Sequence, residues 1–206
     1  MTVQILVLAK TPVPGRVKTR LCPPCTPEQA ATIAAAAIAD TLDAVDASRA
    51  SARTLVADGE FEPRPGWTLV SQCQGGLDER LAHAFATTAK QRLASLLIGM
   101  DTPQVTPAQL DEGLRALDRA DAAFAPALDG GYWAIGLRRP DAAVFRDVPM
   151  SVPTTAKVQR ARLAELELAT VELPALVDVD TIGDARRVAA AAPLTRFARA
   201  LERVAP

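Results

Sequence analysis

Histidine is almost missing from this chain: His83 stands alone among 206 residues. Chemistry that needs a Ser-His-Asp relay or a cluster of imidazole ligands is therefore poorly supplied. Cysteine is scarce too, and an odd total of three does not make a disulfide framework. Cys22-Pro-Pro-Cys25 has the C-x-x-C spacing of redox and zinc sites, but prolines fill it and a charged loop precedes it. It reads as two small residues in a stiff loop, since zinc would need Cys22, Cys25, Cys73 and His83 all to converge. The 23 basic and 24 acidic side chains leave a charge of −1, without the basic excess of a general nucleic-acid binder. No apolar run approaches the ~18 residues of a membrane span. The opening residues lack the basic stretch and cleavage site of a secretion signal, so a cytoplasmic protein is expected. Aromatics make up only 4%, so a core of Ala, Val and Leu is implied, and the length fits one domain over 1–206. Any catalysis must rest on Asp, Lys, Arg and backbone.

What the chain does have is alternation. Residues 3–9 form a near-continuous apolar run of the kind found in buried parallel strands. Further strands are expected at 53–58, 67–72, 96–99, 122–127, 132–137 and 168–173. Thr26-Pro-Glu-Gln29 carries an N-cap, a Pro at the first helical position and a capping-box Gln, and so opens a helix over 27–47. Thr106-Pro-Ala-Gln109 repeats the signal for a helix to 119, and helices are also expected at 77–93, 153–167, 181–191 and 195–204. Strands separated by helices at this spacing predict an α/β protein with three layers and a mostly parallel central sheet. In such sheets ligands bind beyond the carboxyl ends of the strands. Polar clusters stand there: 10–20, 72–76, 101–104 and 178–184.

The first cluster is Lys10-Thr-Pro-Val-Pro-Gly-Arg-Val-Lys-Thr-Arg20. Residues 1–27 hold four cations and no acid, a local charge of +4 that leaves −5 on the rest of the chain. Pro12 and Pro14 stiffen the loop, and Gly15 permits close backbone approach. Arg supplies a planar fork and Lys a point charge, the donors phosphate oxygens need. Lys10, Arg16, Lys18 and Arg20, with Ala9 and Gly15, are therefore candidate nucleotide-phosphate contacts. The spacing is not that of the P-loop. The second cluster is acidic. Asp101 ends a buried strand, and Asp178-Val-Asp180 offers two carboxylates on one face of an extended segment. Mg²⁺ is commonly held by one or two carboxylates plus substrate phosphates, so Asp101, Asp178 and Asp180 are candidate ligands. Three alternatives stand beside this: Asp101 as a turn residue ahead of Pro103, Asp180 or Thr181 as the cap of the next helix, and Asp129-Gly-Gly131 as a hairpin turn.

Four stretches, Ile5-Leu-Val-Leu-Ala-Lys-Thr-Pro-Val-Pro-Gly-Arg-Val-Lys-Thr-Arg-Leu21, Gly99-Met-Asp-Thr-Pro103, Asp129-Gly-Gly-Tyr-Trp-Ala-Ile-Gly-Leu137 and Asp178-Val-Asp-Thr181, resemble the bacterial rSAM/selenodomain-associated transferases. That family is related to the molybdenum-cofactor and 2-phospho-lactate guanylyltransferases. The resemblance spans about residues 3–190 and implies a Rossmann-like, glycosyltransferase-A (nucleotide-diphospho-sugar transferase) fold. It also implies a nucleoside triphosphate or nucleotide-sugar ligand with Mg²⁺ or Mn²⁺. On this match Arg16 and Lys18 hold phosphates, Asp101 and Asp180 the metal, and the segment with Gln72, Gly75 and Gly76 lies near the base or sugar. Met100 and Thr102 stand where the family usually has Ser and Cys, and Met150 where it has Trp.

Nucleotidyl transfer is an in-line displacement in which positioning and charge stabilisation dominate. Lys18, Arg16 and Asp101 are the residues expected to matter most for it. A phosphorylated small-molecule acceptor arrives already ionised and needs no general base, which suits a chain with one His. Asp129, Gly130, Gly131 and Tyr132 are the candidate acceptor grip. Transfer of a nucleotidyl group to such an acceptor is the leading expectation. Glycosyl transfer from a nucleotide sugar, and a non-catalytic nucleotide-binding protein, are the alternatives.

Overall fold

The computed structural model describes residues 2–88 and 93–204. Seven strands form one sheet: β1 (Val3–Lys10), β2 (Ala52–Asp58), β3 (Thr68–Ser71), β4 (Ala94–Gly99), β5 (Ala122–Pro126), β6 (Tyr132–Leu137) and β7 (Thr170–Glu172). Six helices accompany them: α1 (Pro27–Asp46), α2 (Leu77–Thr88), α3 (Pro107–Ala116), α4 (Thr155–Glu165), α5 (Ile182–Ala191) and α6 (Arg196–Val204). The expected continuation of α2 through 89–92 lies outside the described residues. No helix among the described residues is long and apolar enough to cross a membrane.

The strand order is β3-β2-β1-β4-β6-β5-β7, parallel except for β6, which runs antiparallel to both β4 and β5. Hydrophobic residues on both faces of β1 explain its central place. Ile5 and Val7 enter one core with Ile38 of α1 and Leu110 and Leu114 of α3, while Leu6 enters the opposite core with Phe85 of α2 and Leu163 of α4. Helices thus cover both faces, giving the three-layer α/β/α sandwich expected from the alternation. A third cluster joins Leu21, Cys25 and Ile33 to Val179, Val188, Phe197 and Leu201, clamping α5 and α6 onto α1.

Both Thr-Pro-x-Gln signals act as capping boxes. Thr26 Oγ1 accepts from Gln29 N–H while Gln29 Oε1 accepts from Thr26 N–H, and Thr106 and Gln109 do the same. The one strand reversal matters for function. Because β6 is antiparallel, its first residue, Tyr132, stands at the edge where β1, β4, β5 and β7 end.

Candidate functional site

Lys18 organises that edge. Its backbone is left-handed (φ 48°), an uncommon state for a residue with a Cβ, and it stands just before a short 3₁₀ turn, Thr19–Leu21. Its side chain is only 9% exposed; the ammonium pairs with Asp101 Oδ1 and donates to the carbonyl of Val179. Val179 N–H in turn donates to the carbonyl of Asp101 at 2.9 Å. The first loop, the end of β4 and the segment before α5 are therefore pinned together. With Val179 fixed, its neighbours Asp178 and Asp180 fall on one side, as alternation in extended chain requires. Arg20 reaches across to Asp180 at 2.5 Å.

The alternative roles separate cleanly. Thr181, not Asp180, is the N-cap of α5: its hydroxyl accepts from Asp184 N–H at 3.3 Å. Asp180 is thereby left to face Arg20 and the cleft. Asp129 does make the hairpin turn, its Oδ1 accepting from Gly131 N–H at 2.8 Å, and it also lines the cleft. Gly130, at φ 92°, cannot bear a side chain because a Cβ would lie 2.0 Å from the carbonyl oxygen of Pro153.

Two adjoining depressions result. The smaller, about 300 Å³, is walled by Lys10, Arg16, Lys18 and Arg20 on one side and Asp101 and Asp180 on the other. The larger, about 730 Å³, takes in Arg20, Asp101, Asp129, Asp178, Asp180 and Tyr132 and continues along an apolar wall. Charge in it is unbalanced. Burial, followed by the negative charge of Asp101, pushes the Asp178 carboxyl up to about 7; Lys18 opposes the shift, while Asp129 and Asp180 add to it. Four carboxylates sharing two cations, Lys18 and Arg20, are a cation-seeking arrangement of hard oxygen donors. Among the described residues no three of His, Cys, Asp or Glu are already gathered as a metal-binding group. This donor set fits an ion such as Mg²⁺ or Mn²⁺, held by one or two carboxylates and completed by ligand oxygens.

The remaining expected residues stand apart. Gln72 spends its amide N–H groups on the carbonyls of Ala9 and Val56, both at 3.0 Å, and its Oε1 accepts from Arg80. Arg80 also donates to the carbonyl of Gly75, and Gly76 N–H donates to Glu79. Gln72, Gly75 and Gly76 thus form a braced turn beside the site and are not among the residues lining either depression. Gly15 (φ 73°) sits at the exposed tip of the first loop with open space around it. His83 lies on α2 beside Thr87, and Cys25 is buried next to Leu21.

Sequence reasoning missed Leu77 and Leu81 of α2 and Thr155 at the start of α4 in the wall of the large depression, which Met150, Ser151, Val152 and Pro153 also line. Apolar residues at a helix start and in a loop carry no pattern that marks them as lining. Met150, at a position where the resembling family has Trp, was the available signal.

Several solved structures share this architecture. A Desulfovibrio desulfuricans G20 protein provisionally named a nucleotide-diphospho-sugar transferase is 25% identical, covering 98% of this chain and 94% of its own, with a TM-score of 0.89. Rv0371c from Mycobacterium tuberculosis H37Rv, in complex with manganese, is 20% identical over 91% of this chain and 98% of its own, with a TM-score of 0.54. A CMP:2-keto-3-deoxy-manno-octonic acid synthetase complexed with CTP is 13% identical over 98% and 100%, with a TM-score of 0.55. These likenesses establish a nucleotide-diphospho-sugar transferase fold. No curated protein matches the sequence. The family model that does match covers residues 30–152, and the chain accordingly belongs to the bacterial family described as an uncharacterized protein conserved in bacteria (DUF2064).

Proposed function

We propose that this chain is a metal-dependent nucleotidyltransferase that moves a nucleoside monophosphate from a nucleoside triphosphate to a small acceptor, releasing pyrophosphate. One observation carries the reading: the cationic first loop and the acidic strand ends meet, with Lys18 on Asp101 and Arg20 on Asp180. Lys10, Arg16, Lys18 and Arg20 line the side that would take the phosphates, and their fixed positive charge would offset the charge gathering on departing pyrophosphate. Asp101 and Asp180, with Asp178 beside them, would hold Mg²⁺ or Mn²⁺. When bound, such an ion supplies charge neutralisation on phosphate oxygens. Ala9 and Gly15 would contribute backbone on the nucleotide side, with Gln72, Gly75 and Gly76 next to it as a braced boundary for the base. Asp129, Gly130, Gly131 and Tyr132 would face the acceptor. The manganese bound to Rv0371c and the CTP bound to the CMP-sugar synthetase, on the same fold, support the ligand classes.

A second reading has its own support. The Desulfovibrio relative is named for nucleotide-sugar chemistry. Glycosyl transfer from a nucleotide sugar would use the same cations and carboxylates.

Thermal denaturation with GTP, CTP, UTP and UDP-glucose, each with and without Mn²⁺, separates the readings. A ligand at a hundredfold excess over Kd stabilises by about 2.7 kcal/mol. The expected result is a metal-dependent rise in Tm with one or more triphosphates, lost in Asp101→Ala. A response confined to UDP-glucose would replace nucleotidyl with glycosyl transfer. No response to any nucleotide would leave a non-catalytic protein.

A further inference from the structure

The two depressions differ in what they can hold. Lys10, Arg16 and Lys18 line only the smaller, and Arg20 is shared by both. The charged side chains lining the larger depression are Asp101, Asp129, Asp178, Asp180 and Arg20, and that one cation pairs with Asp180 at 2.5 Å and is already assigned to the triphosphate. Beyond the carboxylates the wall is Leu8, Leu77, Leu81, Leu97, Met150 and Val152. Bound phosphate needs charged or N–H donors, and a carboxylate-lined chamber repels it.

One buried side-chain oxygen in the chamber has no partner among the described residues. Thr102, next to Asp101, is 1% exposed and lines the larger depression, and its Oγ1 makes no hydrogen bond among the described residues. Its neighbours in the chamber are already engaged: Thr155 Oγ1 donates to the carbonyls of Pro149 and Val152, and the Tyr132 hydroxyl donates to Gln159 Oε1 at 3.4 Å. A buried hydroxyl left alone is a cost to the fold that a ligand hydrogen bond removes.

Resting on the transferase reading above, we infer that the acceptor is an uncharged, hydroxyl-bearing compound with an apolar portion, such as a glycoside, and not a phosphate ester. Its hydroxyls meet Thr102 Oγ1 and the carboxylates of Asp129 and Asp178, which accept hydrogen bonds from sugar hydroxyls, and in transfer the attacking hydroxyl gives its proton to Asp129 as its oxygen bonds to the α-phosphorus and pyrophosphate leaves. Its apolar part lies along Leu77, Leu81, Met150 and Val152. This departs from the phosphorylated acceptor expected from the scarcity of histidine.

Calorimetric titration of the Mn²⁺–triphosphate-loaded protein with phenyl β-D-glucoside and with phenyl phosphate tests the inference, because the two share a ring and differ in charge. The glucoside is expected to bind at least tenfold more tightly. Thr102→Val, which keeps shape and removes the hydroxyl, should weaken the glucoside about tenfold, and Thr102→Ser should restore it. Equal or tighter binding of phenyl phosphate, no binding of the glucoside, or a Thr102→Val protein that binds it as wild type does would each overturn the proposal. Failure of the protein to take up triphosphate in the first place would instead remove the transferase reading on which it rests.

Discussion

Two acidic clusters in this molecule differ in charge balance. Along α1, Asp40, Asp43 and Asp46 face three arginines. Arg64 pairs with Asp43 at 2.6 Å and Asp46 at 2.5 Å, Arg196 with Asp43 at 2.6 Å and Asp40 at 3.5 Å, and Arg53 with Asp46 at 3.3 Å. Trp67 adds an indole N–H to Asp46 at 2.8 Å. Burial works against the ionised Asp43, but hydrogen bonds from Arg64 and Arg196 outweigh it and hold its carboxyl below the usual range. At the sheet edge, Asp101, Asp129, Asp178 and Asp180 share Lys18 and Arg20, and Asp178 rises to about 7. The first cluster is satisfied and ties α1 to α6 and to the segment before β3. The second retains like-charge repulsion, and the proposed cation site rests on that imbalance.

The contrast can be broken by substitution, and the largest effect is expected at the unbalanced cluster. Asp101→Ala should lower transfer activity by about a thousandfold, the scale on which preorganised electrostatic contacts act, measured as kcat/KM for pyrophosphate release. A loss of less than tenfold would take Asp101 out of the chemistry.

Asp178→Asn should next pull stability and function in opposite directions. Its folded pKa lies above the ordinary carboxyl value, so between about pH 4 and pH 7 the folded protein keeps a proton that the unfolded chain has released. Metal-free stability therefore falls as pH rises through that window. The Asn variant should lack the decline and melt a few degrees higher than wild type at pH 8, about 2–4 °C per kcal/mol relieved, with no difference at pH 3. Thermal scans across pH check this, and an Asn variant less stable at pH 8 would contradict it.

The smallest effect is expected at the balanced cluster. Arg64→Ala should cost about 1 kcal/mol at pH 7, as partly exposed pairs do, with turnover unchanged. Because Asp43 is depressed in the folded state, this contribution is present above about pH 4 and is lost as pH falls below it. Urea melts at pH 7 and pH 3 should differ accordingly.

Much of this was written locally. The capping boxes at Thr26 and Thr106, the apolar run of β1 and the Asp-Gly-Gly turn each depend on residues within a few positions of one another, and they placed the elements to within a few residues. The i, i+2 spacing of Asp178 and Asp180 gave their shared side, although only the structure separates Thr181 as the cap from Asp180 in the cleft. What stayed hidden depends on long-range packing. The hydrogen bonds that brace the turn at Gln72 reach the carbonyls of Ala9 and Val56, positions far away in the chain. The left-handed backbone of Lys18 has no composition signal, and nothing local marks Leu77 and Leu81 as lining. Charge imbalance at the edge was half visible: the +4 loop could be counted, whereas its carboxylate partners lie some eighty to one hundred and sixty positions away.

The most direct measurement is electron paramagnetic resonance of Mn²⁺ titrated with the protein, with and without a triphosphate. The account predicts a protein-bound Mn²⁺ signal that strengthens when triphosphate is present and disappears in the Asp101→Ala/Asp180→Ala double variant. Mn²⁺ that stays free with the triphosphate-loaded wild type, or a bound signal undiminished in the double variant, would contradict it.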